Sequence, residues 1–181
     1  MKCIILYDCF RHMMTDFKDE DVKIRPAVKE DCYVIRSLIQ ELADYEKMPE
    51  GPKITAEDLI RDGFGDNKFF YSHVAEVGSK IVGFCLFFYT YSTWEGKVVH
   101  MEDLYVQPEY RSRGVGTKLW KSIITAALEI NCSRCNFQVL DWNKPSIKYY
   151  KRQGAVDLSA AEGWLMFRMN RKEMETFVSK T

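Results

Sequence analysis

The sequence has no excess of charge of either sign and no long apolar run. Its 26 basic and 26 acidic side chains cancel to a formal net charge of zero. A protein that coats DNA or RNA usually carries a basic excess on one face, so nucleic-acid binding is not expected. No apolar stretch approaches the roughly 20 residues that a membrane-spanning helix needs, and no membrane association is predicted.

Histidine is scarce, and the cysteines lack the spacing of a metal or redox site. The three histidines are scattered, and Cys132 and Cys135 form a lone C-x-x-C without a second pair. A structural zinc site would need four suitably spaced ligands, so no metal is predicted. A thioredoxin-type motif lies between a strand and a following helix, whereas this one has the reverse order. Without a recognisable secretory signal, the six cysteines are expected to be reduced thiols of a cytoplasmic protein.

The chain has enough apolar and aromatic sequence to build a substantial core. Its 181 residues are 46% hydrophobic and 14% aromatic, which argues against intrinsic disorder and favours a single domain. Residues 1–20 end in an acidic stretch and are predicted to be a poorly ordered N-terminal leader. The domain itself is expected to occupy residues 21–181.

The first part of this domain reads as one strand, two helices and three further strands. The first strand is predicted over 22–26, and apolar residues at helical spacing predict an amphipathic helix over about 30–47. Thr55 and Asp58 resemble a capping box for a second, short helix. β-Branched and aromatic residues then predict strands joined as antiparallel hairpins, over 69–77, 81–91 and 97–106.

The second part alternates helices and strands. A helix follows Gly114, a strand is predicted over 134–140, Asn143 caps the next helix, and a strand over 164–169 is expected to close the sheet. The whole order predicts an α/β sandwich on a mixed sheet that is antiparallel early and parallel late.

A glycine-rich turn links a predicted strand to the helix that follows, with the sequence Arg111-Ser112-Arg113-Gly114-Val115-Gly116-Thr117. Backbone N–H groups at a helix start, the helix dipole and the two arginines all favour an anion there, and a pyrophosphate is the anion expected. By itself the short R-x-x-G-x-G pattern also fits an ordinary helix-start loop. The glycine patterns of dinucleotide-binding and Walker loops are absent.

The order of elements around this turn resembles the GNAT superfamily of N-acetyltransferases, in which R-x-x-G-x-G/A holds the pyrophosphate of acetyl-coenzyme A. In that superfamily the preceding strand carries a bulge whose backbone binds the pantetheine and the acetyl carbonyl. The matching positions here are Leu104, Tyr105 and Val106. Neighbouring strands splay apart at that point and open a slot. The resemblance implies the GNAT fold and acetyl-CoA as co-substrate.

Further motifs resemble the diamine acetyltransferases, the family of spermidine/spermine and thialysine N-acetyltransferases. The resemblance covers about residue 22 to the C-terminus. It implies a small amine substrate and a homodimer that pairs through its C-terminal segments. The motifs include Glu41-Leu42-Ala43-Asp44-Tyr45-Glu46, Met101-Glu102-Asp103-Leu104-Tyr105-Val106, Asp141-Trp142-Asn143 and Ala161-Glu162-Gly163-Trp164.

The resemblance also assigns roles by position. Tyr150 matches the general acid that protonates the departing thiolate, and a phenol has a proton to donate at neutral pH. Glu102 matches a substrate-binding carboxylate that helps to remove the amine proton through water. Without these roles, Tyr150 would be an ordinary core tyrosine and Glu102 would form a surface ion pair.

The resemblance also implies binding contacts. Co-substrate contacts are expected at Asn143, Lys144, Pro145 and Ser146, and substrate contacts at Tyr45, Glu46, Trp94, Asp103, Leu140 and Glu162. Since Glu102 and Asp103 are adjacent on a strand, their side chains are expected on opposite faces of the sheet.

Two residues depart from the polyamine type of this family, which has an aspartate where Ser92 stands and a proline where Thr93 stands. An aspartate attracts the distal ammonium of spermidine and repels a carboxylate, whereas hydroxyls can bind the amino-acid end of thialysine. Leu140 also resembles the thialysine type. The sequence therefore predicts a thialysine-like ω-amino-acid acetyltransferase with weaker polyamine activity. The alternatives are a spermidine/spermine acetyltransferase, an enzyme for protein N-termini or lysines, a non-catalytic acetyl-CoA-binding module, and a generic α/β scaffold.

Overall fold

The computed structural model describes residues 21–180, which fall into two compact units. The first unit ends at Gln138 and the second begins at Val139. The predicted leader over residues 1–20 lies outside the described residues. Among the helices of residues 21–180, none is both long and apolar enough to cross a membrane.

The first unit is built on a five-stranded sheet in the order β1-β2-β3-β4-β5. β1 to β4 pair antiparallel, and β5 joins β4 in parallel. This confirms the predicted mixed sheet, antiparallel first and parallel last. β5 is shorter than the predicted strand over 134–140. The strands are β1 (Val22–Pro26), β2 (Tyr71–Val77), β3 (Lys80–Ser92), β4 (Gly96–Val106) and β5 (Arg134–Phe137).

Three helices flank this sheet: α1 (Cys32–Tyr45), α2 (Ala56–Phe64) and α3 (Val115–Glu129). α1 follows the predicted apolar spacing, since Ile35, Leu38 and Ile39 are buried. α2 begins with the predicted capping box. The Thr55 hydroxyl accepts from the Asp58 N–H at 3.1 Å, and the Asp58 carboxylate accepts from the Thr55 N–H at 2.9 Å.

The two faces of the sheet bury different apolar side chains. On one face Phe84, Leu86 and Tyr105 form a continuous cluster with side chains of α1 and α2. On the other face Leu119 of α3 is fully buried, and the Cys85 Sγ lies 3.7 Å from the Leu119 carbonyl oxygen. Burying a large apolar side chain is worth about 1.5–3 kcal/mol. The helices on both faces therefore hold the strands in a fixed register.

A partly buried ion network anchors the edge strand β1 and the turn that leads into α1. The Arg25 guanidinium contacts the Asp31 carboxylate at 2.6 and 3.1 Å and the Glu76 carboxylate at 2.9 Å. Asp31 also accepts from the Val28 N–H at 2.8 Å. Burial alone would raise the pKa of Asp31, but the hydrogen bonds from Arg25 and Val28 outweigh it and leave that pKa lowered. The network fixes the start of the helix whose other end carries Tyr45.

The second unit contains α4 (Lys144–Arg152), α5 (Leu158–Glu162) and α6 (Arg171–Ser179). The predicted closing strand over 164–169 is wrong, because residues 163–170 form neither helix nor strand. The apolar side chains from Trp164 to Phe167 are 60–85% exposed. An apolar run predicts a strand only if another strand pairs with it, and within the described chain this segment pairs with none.

Candidate active site

A β-bulge in β4 sets the direction of the acidic side chains in the first unit. Asp103 pairs with Leu86 of β3, and Met101 pairs with the next residue of β3, so Glu102 is the extra residue. The bulge expected at Leu104–Val106 is therefore wrong in position, since these three residues pair regularly with β3. A bulge bends its strand and re-aims the side chains beside it.

The bulge brings Glu102 and Asp103 to the same face of the sheet. Asp103 lies opposite Leu86, on the face that packs against α1, and His100 shares this face because its ring stacks on Phe88 with the centroids 4.8 Å apart. The Glu102 carboxylate lies 3.6 Å from the His100 Nε2. The expectation of opposite faces is wrong, because the extra residue breaks the two-residue alternation of a regular strand.

Asp103 is a partly buried carboxylate next to two other acidic groups. Burial, followed by the negative charges of Glu102 and Glu46, raises its pKa to about 7. Among the described residues, no donor or cation bonds its carboxylate. Burial also raises the pKa of Glu46, the residue that follows α1, whereas the Glu102 side chain is 56% exposed. Glu46, Glu102 and Asp103 are called the acidic cluster below. Its charge favours a cationic ligand.

The predicted residues Ser92, Thr93 and Trp94 lie at the tip of the β3–β4 hairpin. The Ser92 Oγ accepts from the Trp94 N–H at 3.2 Å and from the Glu95 N–H at 3.3 Å. Because a hydroxyl has two acceptor positions and one proton, these bonds leave the proton as the group that Ser92 offers to a ligand. Thr93 is exposed, and so is Trp94, with 83% of its surface accessible.

The Arg111 side chain turns toward two aromatic rings. Its Nε donates to the Val106 carbonyl oxygen at 2.8 Å, and its guanidinium lies 4.9 Å from the Tyr45 ring centroid and 5.3 Å from that of Tyr105. The Tyr105 hydroxyl donates to the Glu41 carboxylate at 3.0 Å. Arg111 thus links the ends of α1 and β4 to the glycine-rich turn. The hydrogen bond from Tyr105 to Glu41 was not predicted. The sequence offered one indication of it, because Glu41 lies one helix turn before the predicted substrate contact Tyr45.

The glycine-rich turn leads directly into the N-terminus of α3. Ser112 and Gly114 have positive φ angles of 61° and 79°, and Gly114 is the N-cap residue of the helix. Glycine has no side chain to act as the usual capping acceptor, so the helix start presents its backbone N–H groups and positive dipole end to an anion. A Cβ on Gly116 would lie 3.8 Å from the Val106 side chain, which puts the helix start beside the end of β4. Arg113 and Thr117 are half-buried, and Val115 is buried.

β4 extends beyond the end of its parallel neighbour. β5 pairs only with the stretch from Val98 to Met101, so residues 102–106 have no β5 partner. This stretch includes the predicted co-substrate contacts Leu104, Tyr105 and Val106. A strand edge without a neighbouring strand can bind an extended ligand through backbone hydrogen bonds. The unpaired edge of residues 102–106 lies where the sequence predicted a slot for the pantetheine arm.

The second unit holds the predicted general acid on a capped helix. The Asn143 Oδ1 accepts from the Ser146 N–H at 3.4 Å, which confirms the predicted cap of α4. Near the other end of α4, Tyr149 and Tyr150 pack edge to face with ring centroids 5.5 Å apart. Both rings are half-buried. The helix and the neighbouring ring restrict the directions that the Tyr150 hydroxyl can take.

The other predicted residues of this unit lie before α4 and at the end of α5. Leu140 is half-buried, and Lys144 and Pro145 are exposed in the first turn of α4. The Glu162 carboxylate accepts from the Trp164 Nε1–H at 2.7 Å. Glu162 is thus tied to the exposed apolar segment that follows α5.

Other reactive groups of the first unit lie outside the predicted site. Among residues 21–180, no three His, Cys, Asp or Glu side chains are grouped to hold a metal ion. Burial raises the pKa of the Cys132 and Cys135 thiols, which opposes thiolate chemistry. A pocket of about 250 Å³ is lined by residues that include His73 and Tyr89, and none of the predicted site residues contributes to it.

Comparison with known proteins agrees with this geometry. A family model described as the acetyltransferase (GNAT) family matches residues 34–155. Thialysine N-epsilon-acetyltransferase from Sus scrofa is 44% identical over 167 residues, covering 88% of this chain and 98% of the relative. Spermidine/spermine N(1)-acetyltransferase-like protein 1 from Homo sapiens is 44% identical over 159 residues, covering 84% of this chain and 23% of that protein. The solved structure of an aminoglycoside N-acetyltransferase in complex with CoA has a TM-score of 0.65 at 20% identity, covering 83% of this chain and 95% of that one.

A mixed sheet with an unpaired edge on β4, next to a helix start capped by glycine, is the architecture of the acyl-CoA N-acyltransferase fold. The chain belongs to the GNAT family of acetyltransferases and is an N-acetyltransferase related to the thialysine N-epsilon-acetyltransferases. The predicted fold, family and enzyme class are confirmed. The individual roles of the site residues stay predictions.

Proposed function

We propose that this enzyme moves the acetyl group of acetyl-CoA to a primary amine of a small cationic substrate that also carries a carboxylate. Thialysine is the model substrate, and di- and polyamines are acetylated more weakly. Acetyl transfer follows from the family, and the observation that carries the substrate class is the hydrogen bonding of Ser92.

The acidic cluster is the proposed recognition site for the ammonium group. A unit charge at about 4 Å from an ammonium contributes about 1 kcal/mol in water and about 4 kcal/mol at a partly buried protein site. Asp103 and Glu46 are partly buried and have no cation of their own among the described residues. An ammonium entering this cluster therefore replaces repulsion between carboxylates by attraction.

Ser92 is proposed to bind the carboxylate end of the substrate. Its two acceptor positions are used by the Trp94 and Glu95 N–H groups, so its proton is directed to a third partner. A hydroxyl proton suits a carboxylate oxygen and offers nothing to an ammonium. An aspartate at this position would keep the turn bonds but add a negative charge, which would favour a polyamine instead.

The co-substrate is proposed to bind along the end of β4 and the glycine-rich turn. The N–H groups from Arg111 to Thr117 would hold the pyrophosphate, and the β4 edge at Leu104–Val106 would pair with the pantetheine arm. Asn143, Lys144, Pro145 and Ser146 at the start of α4 contribute further contacts. This assignment is supported by the glycine N-cap of α3 and by the end of β5 pairing at Met101.

The reaction proposed is direct attack of the amine on the thioester. A carboxylate of the acidic cluster, Glu102 by family position, removes a proton from the ammonium. The neutral nitrogen then forms a bond to the acetyl carbon, and the carbon–sulfur bond breaks. Tyr150 donates its phenolic proton to the leaving thiolate and regains one from the product nitrogen through solvent. Replacing Tyr150 by Phe is expected to lower kcat about 100-fold or more, and unchanged thiol release would remove Tyr150 as the general acid. A wild type that binds acetyl-CoA but releases no thiol with any amine would favour the non-catalytic module.

The test is a thiol-release assay with acetyl-CoA and either thialysine or spermidine. We expect a higher kcat/KM for thialysine in the wild type. Ser92→Asp and Ser92→Asn form a matched pair, because both side chains can accept the turn hydrogen bonds and only one is charged. Ser92→Asp should raise the ratio of spermidine to thialysine kcat/KM about tenfold over Ser92→Asn, which corresponds to about 1.4 kcal/mol.

A second candidate is spermidine/spermine acetylation as the main activity. It is favoured by the acidic cluster, which attracts any ammonium, and by the similarity to the human spermidine/spermine-like protein. A strong preference of the wild-type enzyme for spermidine would establish this alternative. If Ser92→Asp and Ser92→Asn give the same ratio of spermidine to thialysine kcat/KM, a charge at position 92 does not control the choice of substrate.

A homodimer that pairs through its C-terminal segments is part of the proposal. The support is the exposed apolar segment from Trp164 to Phe167, since contiguous exposed apolar surface marks interaction sites. Light scattering should give twice the chain mass, and Phe167→Glu should give a monomer. Leu128→Glu, on an exposed apolar residue of α3, is the control that should stay dimeric. A monomeric wild type would contradict the proposal.

We also propose that the enzyme is cytoplasmic. The four described cysteines are free thiols, which is expected of a cytoplasmic protein.

A further inference from the structure

One carboxylate of α1 joins this helix to the end of β4. We propose that Glu41 is a positioning residue for acetyl transfer: it holds Tyr105 and Gln107, and through them it keeps the end of β4 in the form that binds acetyl-CoA. In this role Glu41 touches neither substrate. The inference rests on the proposed function and deepens it, because it assigns a residue to the support of the co-substrate site.

Glu41 is half-buried and bonds two side chains that lie 64 and 66 residues further along the chain. The Tyr105 hydroxyl donates to one carboxylate oxygen at 3.0 Å, and the Gln107 Nε2 lies 3.0 and 3.3 Å from the two oxygens. Hydrogen bonds to an ionised acceptor are about twice as strong as those between neutral groups. These bonds, called the Glu41 clasp below, tie α1 to the residues on either side of Val106.

Both donors depend on Glu41 for their orientation. The Gln107 Oε1 is buried and makes no hydrogen bond within the described chain, so the Nε2 contacts with Glu41 fix this amide. The Tyr105 ring is buried as well, and burial, followed by the hydrogen bond to Glu41, raises the pKa of its hydroxyl to about 12. The hydroxyl therefore keeps its proton and remains a donor at neutral pH.

The stretch of β4 that the clasp holds is the one that β5 leaves unsupported. β5 pairs with β4 only as far as Met101, so in the described sheet the edge at Leu104–Val106 has β3 as its neighbour on one side. An edge that must keep its N–H and C=O groups free for a ligand cannot be fixed by a second strand. The Glu41 clasp fixes it from the face that packs against α1 and leaves the edge open.

Gln107 also begins the loop that leads to the glycine-rich turn. Its N–H donates to the Val82 carbonyl oxygen, and its own carbonyl oxygen accepts from the Tyr110 N–H, both at 2.9 Å. Val106 lies beside the start of α3, because a Cβ on Gly116 would lie 3.8 Å from its side chain. A shift of Gln107 or Val106 would therefore move the predicted pantetheine slot relative to the predicted pyrophosphate site. A site that is already ordered binds its ligand more tightly, because binding does not have to order it.

The test is calorimetric titration with acetyl-CoA of Glu41→Ala and of a matched control, Asp44→Ala. Asp44 lies on the same helix, is exposed, and accepts from the Gln40 Nε2 at 3.1 Å. Both variants remove one carboxylate from α1, and Glu41→Ala also removes the clasp. Glu41→Ala should raise the Kd of acetyl-CoA about tenfold, and Asp44→Ala less than about twofold. Glu41→Gln keeps one acceptor oxygen, so its Kd should rise only about threefold.

A double-mutant cycle tests whether the effect passes through Tyr105. Tyr105→Phe removes the hydroxyl and keeps the backbone of β4. It should raise the Kd of acetyl-CoA about threefold in the wild type and less than about 1.5-fold in Glu41→Ala, where the acceptor is already gone.

Steady-state kinetics separate positioning from general destabilisation. In Glu41→Ala the KM for acetyl-CoA should rise about tenfold, while kcat at saturation changes less than about threefold and the amine KM less than about twofold. Thr55→Ala is the stability control, because loss of the α2 cap should lower Tm and leave the Kd of acetyl-CoA unchanged. If Glu41→Ala does not fold, Glu41→Gln with Asp44→Asn as its control gives the same comparison.

Three results would overturn the inference. They are an unchanged Kd of acetyl-CoA in the Glu41 variants, an equal rise in the Asp44 or Thr55 control, and an effect of Tyr105→Phe that is as large in Glu41→Ala as in the wild type. If the wild type binds acetyl-CoA and acetylates an amine while any of these holds, only the role of Glu41 fails. If the wild type binds no acetyl-CoA, the proposed function fails and the inference fails with it.

Discussion

Replacing Asp103 by Asn should stabilise the protein at alkaline pH although it lowers activity. In the folded protein Asp103 keeps its proton up to about pH 7, because burial and the charges of Glu102 and Glu46 oppose ionisation. In the unfolded chain the same group ionises near its ordinary value of 3.8. Between these two values the folded state binds more protons, so the free energy of unfolding falls as pH rises. Asn does not ionise and avoids this loss.

The size of the effect follows from the two pKa values. A change from 3.8 to about 7 is roughly three units, and at about 1.36 kcal/mol per unit this gives about 4 kcal/mol as an upper limit. Solvent around a carboxylate that is only partly buried reduces the value, and we take about 2 kcal/mol. For a chain of this length that corresponds to a rise in Tm of about 4–8 °C.

The assay is thermal unfolding of the wild type and Asp103→Asn at about pH 4.5 and about pH 8.5. The difference in Tm between variant and wild type should be small at the acidic pH and reach several degrees at the alkaline pH. Glu102→Gln is the control, since its carboxylate is exposed and its removal should change Tm by less than about 2 °C at either pH. If the difference in Tm between Asp103→Asn and the wild type is the same at both pH values, the conclusion that burial raises the pKa of Asp103 is refuted.

Three further perturbations test the framework around the site. Asp31→Asn should cost about 2 kcal/mol at pH 7, because it weakens the charged bonds to Arg25. Its cost in denaturant unfolding should begin to shrink as pH falls below the ordinary Asp value of 3.8, and it should disappear only below the lowered pKa of Asp31, where the folded wild type also loses this charge; a cost independent of pH would argue against this. Thr55→Ala should lower the stability by about 1 kcal/mol through loss of the α2 cap, and an unchanged Tm would contradict it. Arg111→Lys should raise the amine KM about fivefold through loss of stacking on Tyr45, and a larger effect on acetyl-CoA affinity would contradict this.

The parts of the fold that depend on local sequence were predictable. The apolar spacing around Ile35 and Leu38 specified the buried face of α1, and Thr55 with Asp58 specified the start of α2. The aromatic and β-branched runs predicted the antiparallel strands to within two residues of their observed ends. These signals lie within one helix turn or one strand, so no partner element is needed to recognise them.

The features that were missed depend on a second element. The bulge at Glu102 exists only in the register between β3 and β4, and no pattern in β4 alone distinguishes it from regular alternation. The segment from Trp164 to Phe167 has the composition of a strand, but composition does not supply a pairing partner. The contact of Arg111 with Tyr45 joins residues far apart in the chain, so the pyrophosphate motif gave no indication of it.

The central claim, that the glycine-rich turn holds the pyrophosphate of acetyl-CoA, is tested most directly by calorimetric titration of two glycine variants. Gly114 and Gly78 both have a positive φ angle, 79° and 62°, so a Cβ strains either backbone in the same way. Gly114 is the N-cap of α3, whereas Gly78 lies in the turn between β2 and β3. Gly114→Ala should weaken acetyl-CoA binding more than about tenfold, and Gly78→Ala should leave it unchanged. Equal affinity in Gly114→Ala and the wild type, or no binding by the wild type, would contradict the account.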